Sequence, residues 1–148
     1  MGLRDTPIYT GPFWHSRVKD LVLKGDAIAV AITLYYPRRS YGYPIAAQIT
    51  GLAPNKYIFN IEDKEQFRTP FRYLLHQRWP LAKDRLEKLS EAHPGKAIIL
   101  LCYDPLGQPG QWCHRQLVAE FITEQLGVPV KEINGQRIPI QFSLPYKD

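Results

Sequence analysis

Two cysteines, a histidine and an arginine crowd into one short stretch of this 148-residue chain. The segment reads Leu100-Leu101-Cys102-Tyr103-Asp104, then a glycine- and proline-rich loop from Pro105 to Gln111, then Trp112-Cys113-His114-Arg115. A thiol at a helix start is a better nucleophile, because the macrodipole there favours the thiolate. Imidazole exchanges protons near neutral pH, and guanidinium grips phosphate or carboxylate as a two-pronged fork. Cys113, His114 and Arg115 are therefore the candidate catalytic residues, as nucleophile, proton carrier and anion clamp, with Cys102 a candidate ligand contact. Successive residues of a regular helix point roughly 100° apart, so convergence needs Cys113 or His114 to sit at the cap or in the loop. The plainer readings are a buried Cys102, a packed Cys113 thiol and an ion-paired Arg115.

For these groups to meet, a strand must end near Cys102 and a helix must begin near Cys113. Ala97 to Tyr103 is continuously apolar, as is Ala27 to Leu34, and such runs read as strands buried on both faces. Tyr57 to Ile61 is a weaker strand candidate, and Pro7 to Thr10 a short first strand. Cys113 to Leu126 reads as the last long helix, with Leu117, Val118, Phe121, Ile122 and Leu126 on one face and Gly127 as its stop. Phe13 to Leu21 reads as a shorter helix. Thr69-Pro70 signals a helix over Phe71 to Trp79, which Pro80 breaks or restarts. Buried strands alternating with helices predict one α/β domain of Rossmann-like type over residues 1–148, a mainly parallel sheet with helices on both faces. Residues 127–148 are expected to add a strand at Val130 to Ile133 and an edge strand or arm at Ile138 to Leu144, which a second subunit would receive in a homodimer.

Ligands of open α/β sheets bind beyond the carboxyl ends of the strands. Tyr9 and Thr10 end the first expected strand, and Arg38 and Arg39 follow the next, so all four are candidate ligand contacts on the same edge. With Tyr35, Tyr36 and Tyr41, the two arginines form a setting for a phosphorylated aromatic ligand. A half-buried tyrosine, a turn hydroxyl and a solvated basic turn are the bland alternatives.

Composition narrows the classes. Hydrophobic residues at 45% and charged residues at 22% suit a folded domain rather than a disordered chain. No apolar run approaches the ~20 residues of a membrane span, and the first residues do not read as a signal peptide, so a soluble cytoplasmic protein without membrane contact is expected. Between Arg38 and Lys88 ten basic side chains stand against five acidic ones, which accounts for the whole formal charge of +5 and leans toward anionic partners. Nucleic acid is one such partner, since Tyr41, Tyr43, Tyr57, Phe67, Phe71, Tyr73 and Trp79 interleave with those charges. The chain lacks Gly-x-x-x-x-Gly-Lys-Ser/Thr, Gly-x-Gly-x-x-Gly and Gly-x-Ser-x-Gly, and has no zinc-deaminase pattern. A phosphatase loop would need an arginine six residues after its cysteine, where Gln108 and Ala119 stand. A metal site on Cys102, Cys113 and His114, with His15 or His76 as a fourth ligand, stays open, although adjacent Cys-His ligands are sterically awkward and the loop is not a tight knuckle, so no metal is assigned. No cofactor is expected. A Cys102–Cys113 disulfide is conceivable, although a cytoplasmic compartment keeps thiols reduced.

The pattern Leu-Leu-Cys-Tyr-Asp, a loop, then Cys-His-Arg-x-Leu-Val-Ala-Glu resembles the C-terminal signature of the Domain of Unknown Function 488 family. Tyr9-Thr10-Gly11-Pro12-Phe13 and Leu52-Ala53-Pro54 are similar to its shorter members, so the resemblance spans about residues 8 to 126. It implies a compact Rossmann-like α/β domain and no established activity. Many members carry an Asp-Val-Arg-type motif after the first strand where this chain has Leu34-Tyr35-Tyr36-Pro37-Arg38-Arg39, and the loop between the cysteines is longer here.

Three functions are compatible with these residues. The first is an enzyme acting on a nucleotide, nucleoside or similar phosphorylated small molecule held at the Cys-His-Arg helix start. The second is a sensor that binds such a ligand without turnover, favoured because Asp104 and Glu120 are the only carboxylates nearby in sequence. The third is nucleic-acid binding through the basic 38–88 region; under any of the three the protein is expected to be a monomer or homodimer.

Overall fold

The two continuously apolar runs form the middle of a sheet in the computed structural model, which describes residues 2–104 and 111–133. Ile8–Pro12 forms β1, Ala27–Ala31 β2, Ala47–Gln48 β3, Ala97–Cys102 β4 and Lys131–Glu132 β5. All pair in parallel, in the order β3-β2-β4-β1-β5. Every residue of β2 and β4 is buried, as their lack of polar alternation requires.

Side chains alternate across a strand, so the sheet faces two different cores. Ile28, Val30, Ile98 and Leu100 pack against Phe71, Leu75 and Leu86 of Lys64–Ala92 (α3) and Leu117, Phe121 and Ile122 of His114–Leu126 (α4). Ala29, Ala31, Ile99 and Leu101 face Val18, Leu21 and Val22 of Ser16–Leu23 (α1). This is an α/β domain of Rossmann-like type with helices on both faces. Each fully buried Phe, Leu or Ile contributes roughly 1.5–3 kcal/mol against the entropy of ordering the chain.

Several boundaries differ from the sequence reading. Tyr57 to Ile61 is not a strand: Lys56–Phe59 is a one-turn helix (α2), started by Asn55, whose Oδ1 accepts from the Ile58 amide at 2.9 Å. A local cap outweighs the β-favouring side chains there. Nor do Thr69-Pro70 start a helix or Pro80 end one. Helix α3 runs unbroken over 29 residues from its cap Asp63, which accepts from the Gln66 amide. An interior proline removes a backbone bond at a cost of about 3 kcal/mol, and the buried stripe Phe67, Phe71, Leu75, Ala82 and Leu86 offsets it. The first helix starts at Ser16 rather than Phe13, and β2 ends at Ala31 rather than Leu34. Strand β3, two residues long, has no signature in the sequence. Gly127 ends α4 with φ 72°, as its type predicts. Pro105 to Gly110 and Ile138 to Leu144 lie outside the described residues.

Candidate functional site

The chain leaves β2 toward β3 at one edge of the sheet and leaves β4 toward β5 at the other. Diverging connections open a crevice between the carboxyl ends of β2 and β4, the place where such sheets take ligands. Cys102 is the last residue of β4. Cys113 is the N-cap of α4 in extended conformation (φ −147°, ψ 151°), and His114 is the first helical residue. This break in backbone conformation turns two adjacent side chains toward one point, meeting the condition read from the sequence. The Cys113 amide donates to Gln116 Oε1 at 3.2 Å, which fixes the cap and satisfies one backbone donor at the helix start.

Cys102 and Cys113 are joined as a disulfide, both buried, with Cα atoms 7.6 Å apart. The free, nucleophilic Cys113 thiol expected from the sequence is therefore a property of the reduced protein only. His114 Nδ1 lies 3.8 Å from Cys113 Sγ, and its Nε2 meets the carbonyl oxygen of Ile32 just beyond β2. A carbonyl only accepts, so Nε2 carries the hydrogen and Nδ1 presents a lone pair to the sulfurs. Burial pushes the His114 pKa down to about 4, with the Ile32 hydrogen bond opposing the shift and the Arg115 charge adding to it. The ring is neutral at pH 7, with its Nδ1 lone pair free to coordinate rather than to hold a proton.

Arg115 departs from its expected role. Its side chain is wholly buried, and Nε and Nη2 donate to the Glu132 carboxylate while Nη1 donates to the Asp104 carbonyl at 2.7 Å and to Cys102 Sγ at 3.1 Å. Glu132 also accepts from Thr10 Oγ1 at 2.7 Å, across the β1–β5 register that pairs Thr10 with Glu132. Arg115 is thus an internal brace, and it reaches the candidate chemistry through the Cys102 sulfur and through its charge beside His114. Thr10 is likewise consumed by the brace. Tyr9 is half-buried on the opposite face, packed against the α1-side core. Arg38 and Arg39 are exposed beyond β2, and Arg39 lies over the Tyr41 ring at 5.5 Å. The structure brings together Cys102, Cys113, His114 and Arg115, with Thr10 behind them, and leaves Tyr9, Arg38 and Arg39 apart.

A hollow of about 440 Å³ opens on Cys113 and His114. Phe59, Phe67 and Trp112 form apolar walls, and Glu62 and Asp104 supply its charge. Among the described residues no lysine or arginine lines it. Cys102 does not line it either, so the two cysteines are inequivalent: Cys113 borders the hollow, and the Cys102 sulfur accepts from Arg115. Sequence reasoning missed Glu62, Glu132 and the Ile32 carbonyl, because only the folded topology carries them to the cysteines, and gave Trp112 no role although it stands next to Cys113. The cations lie elsewhere. A second hollow of about 500 Å³ is lined by Lys56, Arg78 and Arg85, the arginines donating to the Thr50 and Gln48 carbonyls. Arg68 and Arg72 pair with Glu120 and Glu124 of α4, and Lys88 pairs with Asp84, so part of the basic 38–88 region is already neutralised. His15 caps α1 and His76 packs edge-on to Phe121, and neither joins the sulfurs.

No protein-family model, curated protein or solved structure matches this chain. Among the described residues no helix is long and apolar enough to cross a membrane.

Proposed function

We propose that this protein is a thiol-dependent enzyme acting on a small molecule in the hollow at the start of α4, and that its chemistry is thiol–disulfide exchange. The observation that carries the reading is the pairing of Cys102 with Cys113, one residue bordering the hollow and the other receiving a guanidinium N–H on its sulfur. In the reduced protein, the Cys113 thiol gives its proton to solvent, and the start of α4 favours the thiolate left behind. The Cys113 thiolate attacks one sulfur of a small disulfide, and the first thiolate leaves with the electron pair. The Cys102 thiolate, stabilised by Arg115, then attacks Cys113 Sγ and releases the second thiolate. Each leaving thiolate takes up one of the two protons given up by the cysteines. The substrate disulfide is reduced to two thiols, the Cys102–Cys113 bond forms, and two equivalents of a small thiol restore the dithiol.

The test uses reduced protein and cystamine. Wild type should release two cysteamines per chain and end two hydrogens lighter. Cys102→Ser should stop as a cysteamine adduct on Cys113, while Cys113→Ser should release none. Equal reactivity of both variants would overturn the division of roles.

The phosphorylated-ligand reading draws support from the other hollow, where Lys56, Arg78 and Arg85 converge. Stabilisation by nucleoside monophosphates that disappears in Arg78→Ala would place an anion there rather than at Arg115. Kinship with the Domain of Unknown Function 488 family is carried by the Cys-His-Arg motif and belongs with these proposals.

A further inference from the structure

We infer that the reduced protein binds one soft divalent cation, of the zinc class, through Cys102 Sγ, Cys113 Sγ and His114 Nδ1, with the fourth coordination position open to the hollow. This deepens the thiol reading and rests on it, since the ligands are the reduced form of the same pair.

Four observations converge. The three donor atoms all lie within 4.8 Å of one another. Tetrahedral zinc with bonds of about 2.3 Å to sulfur and 2.0–2.1 Å to nitrogen places neighbouring donors about 3.6–3.8 Å apart, and Nδ1 already stands 3.8 Å from Cys113 Sγ. The cysteine Cα atoms are 7.6 Å apart, a wide spacing for a disulfide, so that reduction leaves room between the sulfurs for an ion. Finally, the surroundings have the form that metal ligands need. His114 donates its other ring hydrogen to a backbone carbonyl, which fixes the tautomer, and Cys102 accepts from Arg115.

The charges also balance. Two thiolates and one divalent ion sum to zero, and Arg115 is neutralised by Glu132 rather than by the ligands. Binding releases the thiol protons and transfers no electrons. Cys113 and His114 line the hollow while Cys102 closes the rear, so the remaining position faces the space where Glu62 and Asp104 stand. Three protein ligands with one position facing a cavity is the arrangement of a reactive zinc site rather than a closed structural one. Oxidation of the pair to the disulfide by a small disulfide removes both sulfur ligands and expels the ion.

The experiment is anaerobic titration of fully reduced full-length protein with cobalt(II), after its thiols are counted with an aromatic disulfide reagent. Two thiols, one cobalt per chain, a thiolate-to-cobalt charge-transfer band and tetrahedral visible bands that zinc abolishes are the expected result. Cys113→Ser and Cys102→Ser should each weaken zinc binding by more than about 100-fold, the upper cost of losing a mere outer-shell partner, with circular dichroism reporting whether each variant folds. Two thiols without the charge-transfer band in wild type would overturn the metal site and leave thiol exchange standing. Failure of a reductant to expose the thiols would overturn both.

Discussion

Arg115 and Glu132 meet across the edge of the sheet, where Nε and Nη2 both donate to the carboxylate at 2.9–3.0 Å. The guanidinium is entirely buried and the carboxylate is 20% exposed, so the ion pair closes over its charge from inside. It ties the first turn of α4 to β5, a strand of two residues that the β1 ladder alone holds weakly.

Removing one partner of a buried pair leaves the other charge without compensation, which typically costs 3–5 kcal/mol. Glu132→Ala should therefore destabilise the protein by roughly 3–5 kcal/mol in denaturant unfolding. A loss below about 1 kcal/mol, the level of surface pairs, would show that water replaces the carboxylate.

His114 should resist protonation. Its folded pKa is near 4 while an unfolded histidine titrates near 6.5, so the unfolded chain binds the proton first as pH falls. The stability due to this group is complete above about pH 6.5 and is lost as pH falls toward 4. In the metal-free disulfide form, NMR should show the His114 ring neutral at pH 5. An inflection near 6.5 would contradict its burial.

Substrate charge should matter at the hollow. Glu62 and Asp104 favour cationic or neutral molecules, so cystamine should react about tenfold faster than dithiodiacetate at low salt. Glu62→Gln should narrow that ratio, and added salt should narrow it further. A preference for the dianion would instead mean that the amides at the start of α4 govern entry.

Pro80→Ala should stabilise the chain, because it restores a backbone donor inside α3 at an exposed position. A gain of about 1–3 kcal/mol is expected in thermal unfolding. A loss would show that the proline ring packs productively.

The parts of the fold visible in the sequence were those whose signal is local. Ala27–Ala31 and Ala97–Cys102 declare themselves because a strand buried on both faces has no polar alternation, and α4 because Gly127 ends an apolar stripe. The continuity of α3 was hidden, since Pro70 and Pro80 are breakers whose cost is offset only by tertiary packing. The same division holds at the site. Cys113, His114 and Cys102 could be singled out by type and spacing, but Arg115 was assigned to a ligand because its partner Glu132 becomes a neighbour only through the Thr10↔Glu132 register. Charge counting likewise points to anions, while Glu62 joins Asp104 at the hollow by folding alone.

The bond from His114 to Ile32 has a consequence for how the protein would fail. One backbone oxygen decides which ring nitrogen is bare, so the donor atom exists only while the seam beside β2 stays zipped. If that seam frays, the hydrogen is free to migrate to Nδ1 and the ring turns a blank side to the sulfurs. Gentle warming should silence the chemistry well before the helices melt.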